Sequence, residues 1–246
     1  MINLSVNVNK VATVRNSRGG AIPSVLEAVK VCVDTGVQGI TVHPRADARH
    51  ITKADVHDIA AYLAPMRRRI EFNIEGDPRP DLLALVREVK PDQCTLVPVH
   101  PGEITSQAGW STATPPDDIR RVVSGLRADG IRVSLFVDPQ ESPVQWASDM
   151  GADRVELYTE PFARAFEQGE PVKSKCFAEY VKAADRAHSL GLGVNAGHDL
   201  DLDNLVLFRT LPHLDEVSIG HALVSHALFV GLASSVREYL DVLGVS

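Results

Sequence analysis

The chain has 246 residues, of which 44% are hydrophobic and 23% charged, and a formal net charge of −7. That is globular composition with ample apolar sequence for a core, and its acidic balance argues against a nucleic-acid binder, which needs a broad basic face to displace counterions. Cys32, Cys94 and Cys176 are scattered without a CxxC pair, the N-terminus lacks a basic segment followed by an apolar one, and no apolar run approaches about 18 residues, so the expectation is a soluble cytoplasmic protein with reduced thiols and no membrane contact.

Strand-like and helix-like segments alternate along the chain. Alternation predicts a strand over 4–8, and the spacing of Val25, Ala28, Val29, Cys32 and Val33 predicts a helix over 23–35 that stops at Gly36. Strands at 40–43 and 70–74 are each followed by a helix, at 53–63 and 82–89. A strand at 93–97 leads into a long loop over 98–114, with Gly102 and Gly109, that reads as a lid. Next come a helix at 116–128, a strand at 132–137, a helix near 144–150 and a sixth strand at 154–157 carrying Glu156. The insertion over 158–175 reads as an accessory helix at a subunit interface. Phe177, Tyr180, Val181, Ala184 and Ala187 mark the next helix face, followed by a strand at 193–195, a short helix around Leu205, a strand at 216–219 and a final helix over 228–243. Eight strand-then-helix units in this length fit one (β/α)8 TIM barrel domain, 1–246, of class α/β. An open doubly wound sheet would carry a glycine-rich fingerprint after its first strand, and Asn7-Val8-Asn9-Lys10 is not one.

A barrel gathers its chemistry where the strands end, and polar residues follow these strands. The first strand is followed by Asn7, Asn9, Lys10, Arg15 and Arg18, the second by His43, Arg45, Arg49 and His50, and the third by Glu75. The fifth ends at Asp138. Gly197-His198 follows the seventh strand and Gly220-His221 the eighth, where loops and a helix N-terminus commonly hold phosphate. His43, Glu75 and His198 can converge as acid-base groups beside guanidinium groups suited to an anionic substrate. No H-x-H or H-E-x-x-H spacing is present, and arginines disfavour a divalent cation, so no metal is expected. His57, His188, His213 and His226 read as structural or surface residues, and the run at 67–69 as a basic helix end.

Taken together, N-V-N-K-V-A-T-V-R-N-S-R-G from Asn7, G-I-T-V-H-P-R with R-H-I-T, N-I-E, L-V-P with E-I-T, V-N-A-G-H and I-G-H-A resemble the pyridoxine 5′-phosphate synthase family of vitamin B6 biosynthesis over about residues 4–240. The resemblance implies a (β/α)8 barrel with extra helices, a homo-octamer, and no metal or organic cofactor. It implies condensation of 3-amino-2-oxopropyl phosphate with 1-deoxy-D-xylulose 5-phosphate, through a Schiff base, phosphate loss and an aldol-type closure. By motif position, His43 and Glu75 match proton acceptors and His198 the proton donor. Asn7, Arg18, Asp199, Gly220 and His221 match the aminoketone phosphate site, and Arg45, His50 and Thr105 match contacts to the pentulose phosphate. Asn9-Lys10 stands where many members carry Asp-His on that phosphate, and Asp199 stands where glycine is common, so that contact would come from its backbone. Two other readings compete: an aldolase with Lys10 as Schiff-base nucleophile, and a non-catalytic barrel that binds phosphorylated metabolites.

Overall fold

The strands alternate an apolar residue with a polar or small one, and the two sets face different surroundings. In the computed structural model, which describes residues 1–67, 69–98 and 108–245, eight parallel strands pair in chain order and β8 closes on β1. They are β1 Asn3–Asn7, β2 Gly39–Val42, β3 Glu71–Gly76, β4 Gln93–Leu96, β5 Arg132–Val137, β6 Arg154–Tyr158, β7 Gly193–Gly197 and β8 Leu214–Ile219. The expected barrel is the observed one. Leu4, Val6, Ile40, Phe72, Ile74, Leu135, Leu157 and Val217 belong to one continuous buried core with the surrounding helices.

The alternate residues fill the barrel with polar groups instead of the aliphatic layers usual in this fold. Ser5 Oγ and Thr41 Oγ1 share a 2.7 Å hydrogen bond, Asn73 Nδ2 donates to Thr41 Oγ1 at 3.3 Å, and Thr95 Oγ1 donates to Asn73 Oδ1 at 3.1 Å. Below them, Arg132 Nε donates to Gln93 Oε1 at 2.9 Å and pairs with Glu71, while Arg154 Nη1 donates to Asn195 Oδ1 at 2.8 Å and Asn195 Nδ2 to Glu216 Oε1 at 3.3 Å. Burial of so many polar atoms is tolerable because most of them bond to one another, although Glu71 Oε1 and Ser134 Oγ have no hydrogen-bond partner among the described residues.

The helices are α1 Asn9–Asn16, α2 Val25–Thr35, α3 Lys53–Leu63, α4 Pro80–Val89, α5 Pro116–Ala128, α6 Glu141–Asp149, α7 Glu160–Gln168, α8 Val172–Ser189, α9 Leu205–Phe208, α10 His221–Val230 and α11 Leu232–Leu243. None among the described residues is long and apolar enough to cross a membrane. Two features differ from expectation. The segment after β1 is a helix, α1, and the single helix expected over 228–243 is a pair broken at Gly231, whose φ of 87° ends α10. The insertion after β6 does hold a helix, α7. Its Phe162 packs at 5.0–5.9 Å between ring centroids with Phe177 and Tyr180 of α8 and Phe208 of α9, so the apolar face of α7 is covered within its own chain.

Candidate active site

Inward-pointing residues at the carboxyl ends of the strands enclose a cavity of about 410 Å³. Alternation along β2 carries His43 inward one residue after the strand, and alternation along β3 places Glu75 inside the strand, not beyond it. Oε2 of Glu75 lies 3.9 Å from His43 Nδ1 and accepts from Asn7 Nδ2 at 3.4 Å. The backbone N–H of His43 donates to Asn9 Oδ1 at 2.9 Å, and Asn9 N–H to Asn7 Oδ1 at 3.1 Å. Asn9 thus starts α1 and anchors the carboxyl end of β2 at once. Nε2 of His43 is buried with no hydrogen-bond partner among the described residues, a donor or acceptor left for a ligand.

Glu156, on β6, also lines the cavity. It was legible in the sequence only as a strand residue. Its signal was its place in R-V-E-L-Y, two residues before the strand end and in phase with the inward set. A Cβ on Gly197, which pairs with Tyr158 across the β6–β7 ladder, would overlap Glu156 Oε1, so a side chain there would have to displace that carboxylate.

Burial and charge divide the cavity into two electrostatic regions. On the floor, burial pushes the Glu156 carboxyl up to about 7. Glu75 is raised well above the usual carboxylate range, by burial first and then by the neighbouring Glu156 and Glu216. At the wall, burial lowers His43 to about 3, helped by repulsion from His50, Arg45, Arg79 and Arg49; burial likewise lowers His50 to about 4, with Arg45 and Lys10 adding to it. Near neutral pH His43 is therefore an uncharged imidazole, beside a Glu75 carboxyl that burial and its carboxylate neighbours push upward. The rim is cationic, with Lys10 on α1 and Arg45 and Arg49 after β2. His50 is held by its Nδ1, which accepts the Ile51 N–H at 2.9 Å.

On the opposite side, His198 and Asp199 turn out of β7 and Gly220 and His221 begin α10. A Cβ on Gly220 would lie 3.0 Å from both Cβ and O of Asn7, so glycine is what lets β8 approach β1 and opens the α10 N-terminus to the cavity. Val97, Phe136 and Tyr158 form a separate small apolar cluster beside these groups.

Of the residues singled out in the sequence, the cavity gathers His43, Glu75, His198, Asn7, Asn9, Lys10, Arg45, His50, Asp199, Gly220 and His221. Arg18 lies elsewhere, exposed on the turn after α1 and outside the lining of this cavity. Arg15 is also committed elsewhere, pairing with Asp55 of α3 and donating to the His50 carbonyl at 3.2 Å. Asp138 accepts the Gly109 N–H at 3.0 Å, fixing the end of the loop after β4. Thr105 and most of the proposed lid lie outside the described residues.

The model of one protein family, Pyridoxal phosphate biosynthesis protein PdxJ, matches residues 4–244. The chain belongs to the PdxJ family. Pyridoxine 5′-phosphate synthase of Porphyromonas gingivalis is 50% identical over 246 residues, all of both chains. The enzyme of the same name from Leptospira biflexa is 49% identical over 255 residues, covering 100% of this chain and 98% of that one. Among solved structures, phosphoribosyl anthranilate isomerase from Thermotoga maritima superposes with a TM-score of 0.64 at 13% identity, over 99% of each chain. KGPDC from Streptococcus mutans gives 0.62 at 11% identity, over 99% of this chain and 98% of that one. At such identities these two speak for the barrel alone. The match over residues 4–244 makes this chain a member of a family of biosynthetic enzymes.

Proposed function

We propose that this PdxJ-family chain is a pyridoxine 5′-phosphate synthase acting as one barrel domain, joining 3-amino-2-oxopropyl phosphate to 1-deoxy-D-xylulose 5-phosphate with release of phosphate and water. The observation that carries the reading is the pairing of a cationic, helix-capped rim with a floor of buried carboxyls pushed above the usual carboxylate range. The substrates are phosphorylated, and Lys10, Arg45 and His50 on one side and Gly220-His221 on the other suit two separate phosphates.

Each step moves protons. Schiff-base formation requires loss of water from a carbinolamine, phosphate elimination requires removal of a carbon-bound proton, and ring closure requires protonation of a carbonyl oxygen. His43, kept neutral by burial, accepts protons, and Glu75 beside it carries them away or returns them. His198 stands across the cavity to protonate the leaving oxygen. Glu156, with its carboxyl near 7, is a third exchanger on the floor. Lys10 is exposed on α1; amines that form Schiff bases with substrate are desolvated, so its charge serves phosphate binding. The exposed side chains of Leu228 and Phe229 on α10, at 74% and 89% exposure, support a homo-oligomer, taken as the octamer of the family, and the family's biosynthetic role supports a cytoplasmic site.

The test is a chelator-treated assay of purified protein with both phosphorylated substrates, following inorganic phosphate and the ultraviolet absorption of the new pyridine ring. Equal amounts of both products, formed only when both substrates are present, are expected. Binding of each substrate without either product would leave the non-catalytic barrel as the better reading.

A further inference from the structure

We infer that Asp199 is a positioning residue for His198: its carboxylate accepts the Nδ1 proton of the imidazole, fixes the ring's tautomer, and leaves Nε2 to take up a proton from the reaction and pass it on to the leaving oxygen. The inference rests on the synthase reading of the cavity and deepens it.

The turn after β7 is built to hold these two side chains together. His198 and Asp199 both have left-handed backbones, with φ of 94° and 58°, and few residues other than glycine, aspartate and asparagine take that conformation readily. Both carbonyls are clamped. Thr159, at the end of β6, donates its hydroxyl to His198 O, and Asn204, just before α9, donates from Nδ2 to Asp199 O at 3.1 Å. The ring itself is bounded on one side by the Tyr158 ring, met edge-on with centroids 5.1 Å apart. On the other, Nδ1 lies 3.4 Å from Asp199 Oδ2. That is an ion-pair distance and not a hydrogen bond; the inference requires the contact to close to one in the substrate complex, as catalytic contacts commonly do.

Asp199 is itself held from outside. Arg164 on α7 places Nη2 3.8 Å from the same Oδ2, while its other nitrogens pair with Glu160 and Glu167. The carboxyl sits below the usual carboxylate range, with His198 beside it as the largest cause and Arg164 and His221 adding to it. An anionic side chain repels a phosphate dianion, so any contact of Asp199 with substrate phosphate must come from its backbone. Its carboxylate is left to orient the histidine, as a buried aspartate orients the base of a hydrolytic triad.

Asp199→Gly and Asp199→Asn test this, because both residues accept the left-handed backbone and neither confounds the result with strain. In full-length protein carrying ¹⁵N-labelled histidine, with the His198 signal assigned by its loss in His198→Gln, wild type and D199N are expected to show the Nδ1–H tautomer, and D199G the Nε2–H tautomer. In the synthase assay, D199G is expected to lose at least about 10-fold in kcat, since a mis-set tautomer disables the proton-transfer atom. KM for each substrate should stay within about 2-fold, and D199N should recover part of the loss. An unchanged tautomer in D199G would overturn the inference. So would a raised KM for the aminoketone phosphate at unchanged kcat, which would make Asp199 a substrate contact. Failure of wild type to form the pyridine ring would remove the synthase reading, and the tautomer measurement would still decide the Asp199–His198 contact.

Discussion

Asn9 shows how one side chain can serve structure and chemistry together. Its Oδ1 accepts the backbone N–H of His43, so Asn9→Ala would leave that amide unpaired in a buried place, costing about 1–3 kcal/mol, and would loosen the ring that faces Glu75. Asn9→Asp keeps an acceptor at the same atom. Urea stability and kcat should both fall in N9A and both recover in N9D; recovery of stability without kcat would mean that Asn9 acts on substrate through its Nδ2. Gly197→Ala makes a second case, because its Cβ would displace the Glu156 carboxylate. The expected result is a loss of at least about 10-fold in kcat, as a misplaced proton-transfer group commonly gives, in a protein whose far-ultraviolet circular dichroism is unchanged. His43 and His198 could be read from the sequence because they stand where apolar strands stop. Glu156 could not be ranked with them, since a carboxylate two residues inside a strand is more often an ion-pair partner, and only closure of the barrel shows that it lines the cavity.

At the scale of elements, α1 and α3 are joined by Arg15, which pairs with Asp55 while both side chains are mostly buried. Asp55 also completes the α3 capping box with Thr52, so one carboxylate closes a helix end and ties down the loop that carries His50. Asp55→Ala removes both and is expected to cost about 2–4 kcal/mol in denaturant unfolding. Thr52→Ala removes only the cap, at about 1 kcal/mol. Equal losses in the two variants would show that the Arg15 pair contributes nothing. No sequence signal marks α1, because only Val11 and Ala12 are buried on it and its N-cap, Val8, offers no side-chain bond. The C-terminal pair was read as one helix because the apolar pattern runs on across the break. Gly231 was the available signal, and its positive φ is a property of the turn that sequence periodicity does not carry.

For the whole molecule, the polar barrel interior makes stability depend on pH in a definite direction. Glu156 is raised from an ordinary 4.5 to about 7, so between those values the folded state holds a proton that the unfolded chain has released. Its contribution is present below about pH 4.5 and is lost as pH rises through about 7. His43, lowered to about 3 from 6.5, acts oppositely: the unfolded chain takes up a proton that the folded state refuses, and stability falls as pH drops below about 6.5. The variant Glu156→Gln removes the first effect and, with it, the Glu156 charge that helps to raise Glu75. Its stability relative to wild type should rise between pH 5 and pH 8 in thermal or urea unfolding, and a difference that stays flat would mean that Glu156 ionises normally in the fold.

Length, periodicity and the placing of polar residues after apolar strands were enough to determine a (β/α)8 barrel and most of its rim, because strand alternation and barrel closure follow from local pattern and chain length. The motifs carried the family. What only the tertiary structure decided is which polar groups meet. Asn9 turning to His43, Arg15 turning away to Asp55, Glu156 rising beneath Gly197 and Asp199 facing His198 are contacts between side chains whose neighbours come from other strands and helices. Burial, and with it the upward shift of Glu75 and the downward shift of His43, is a property of that enclosure and not of any segment of the chain.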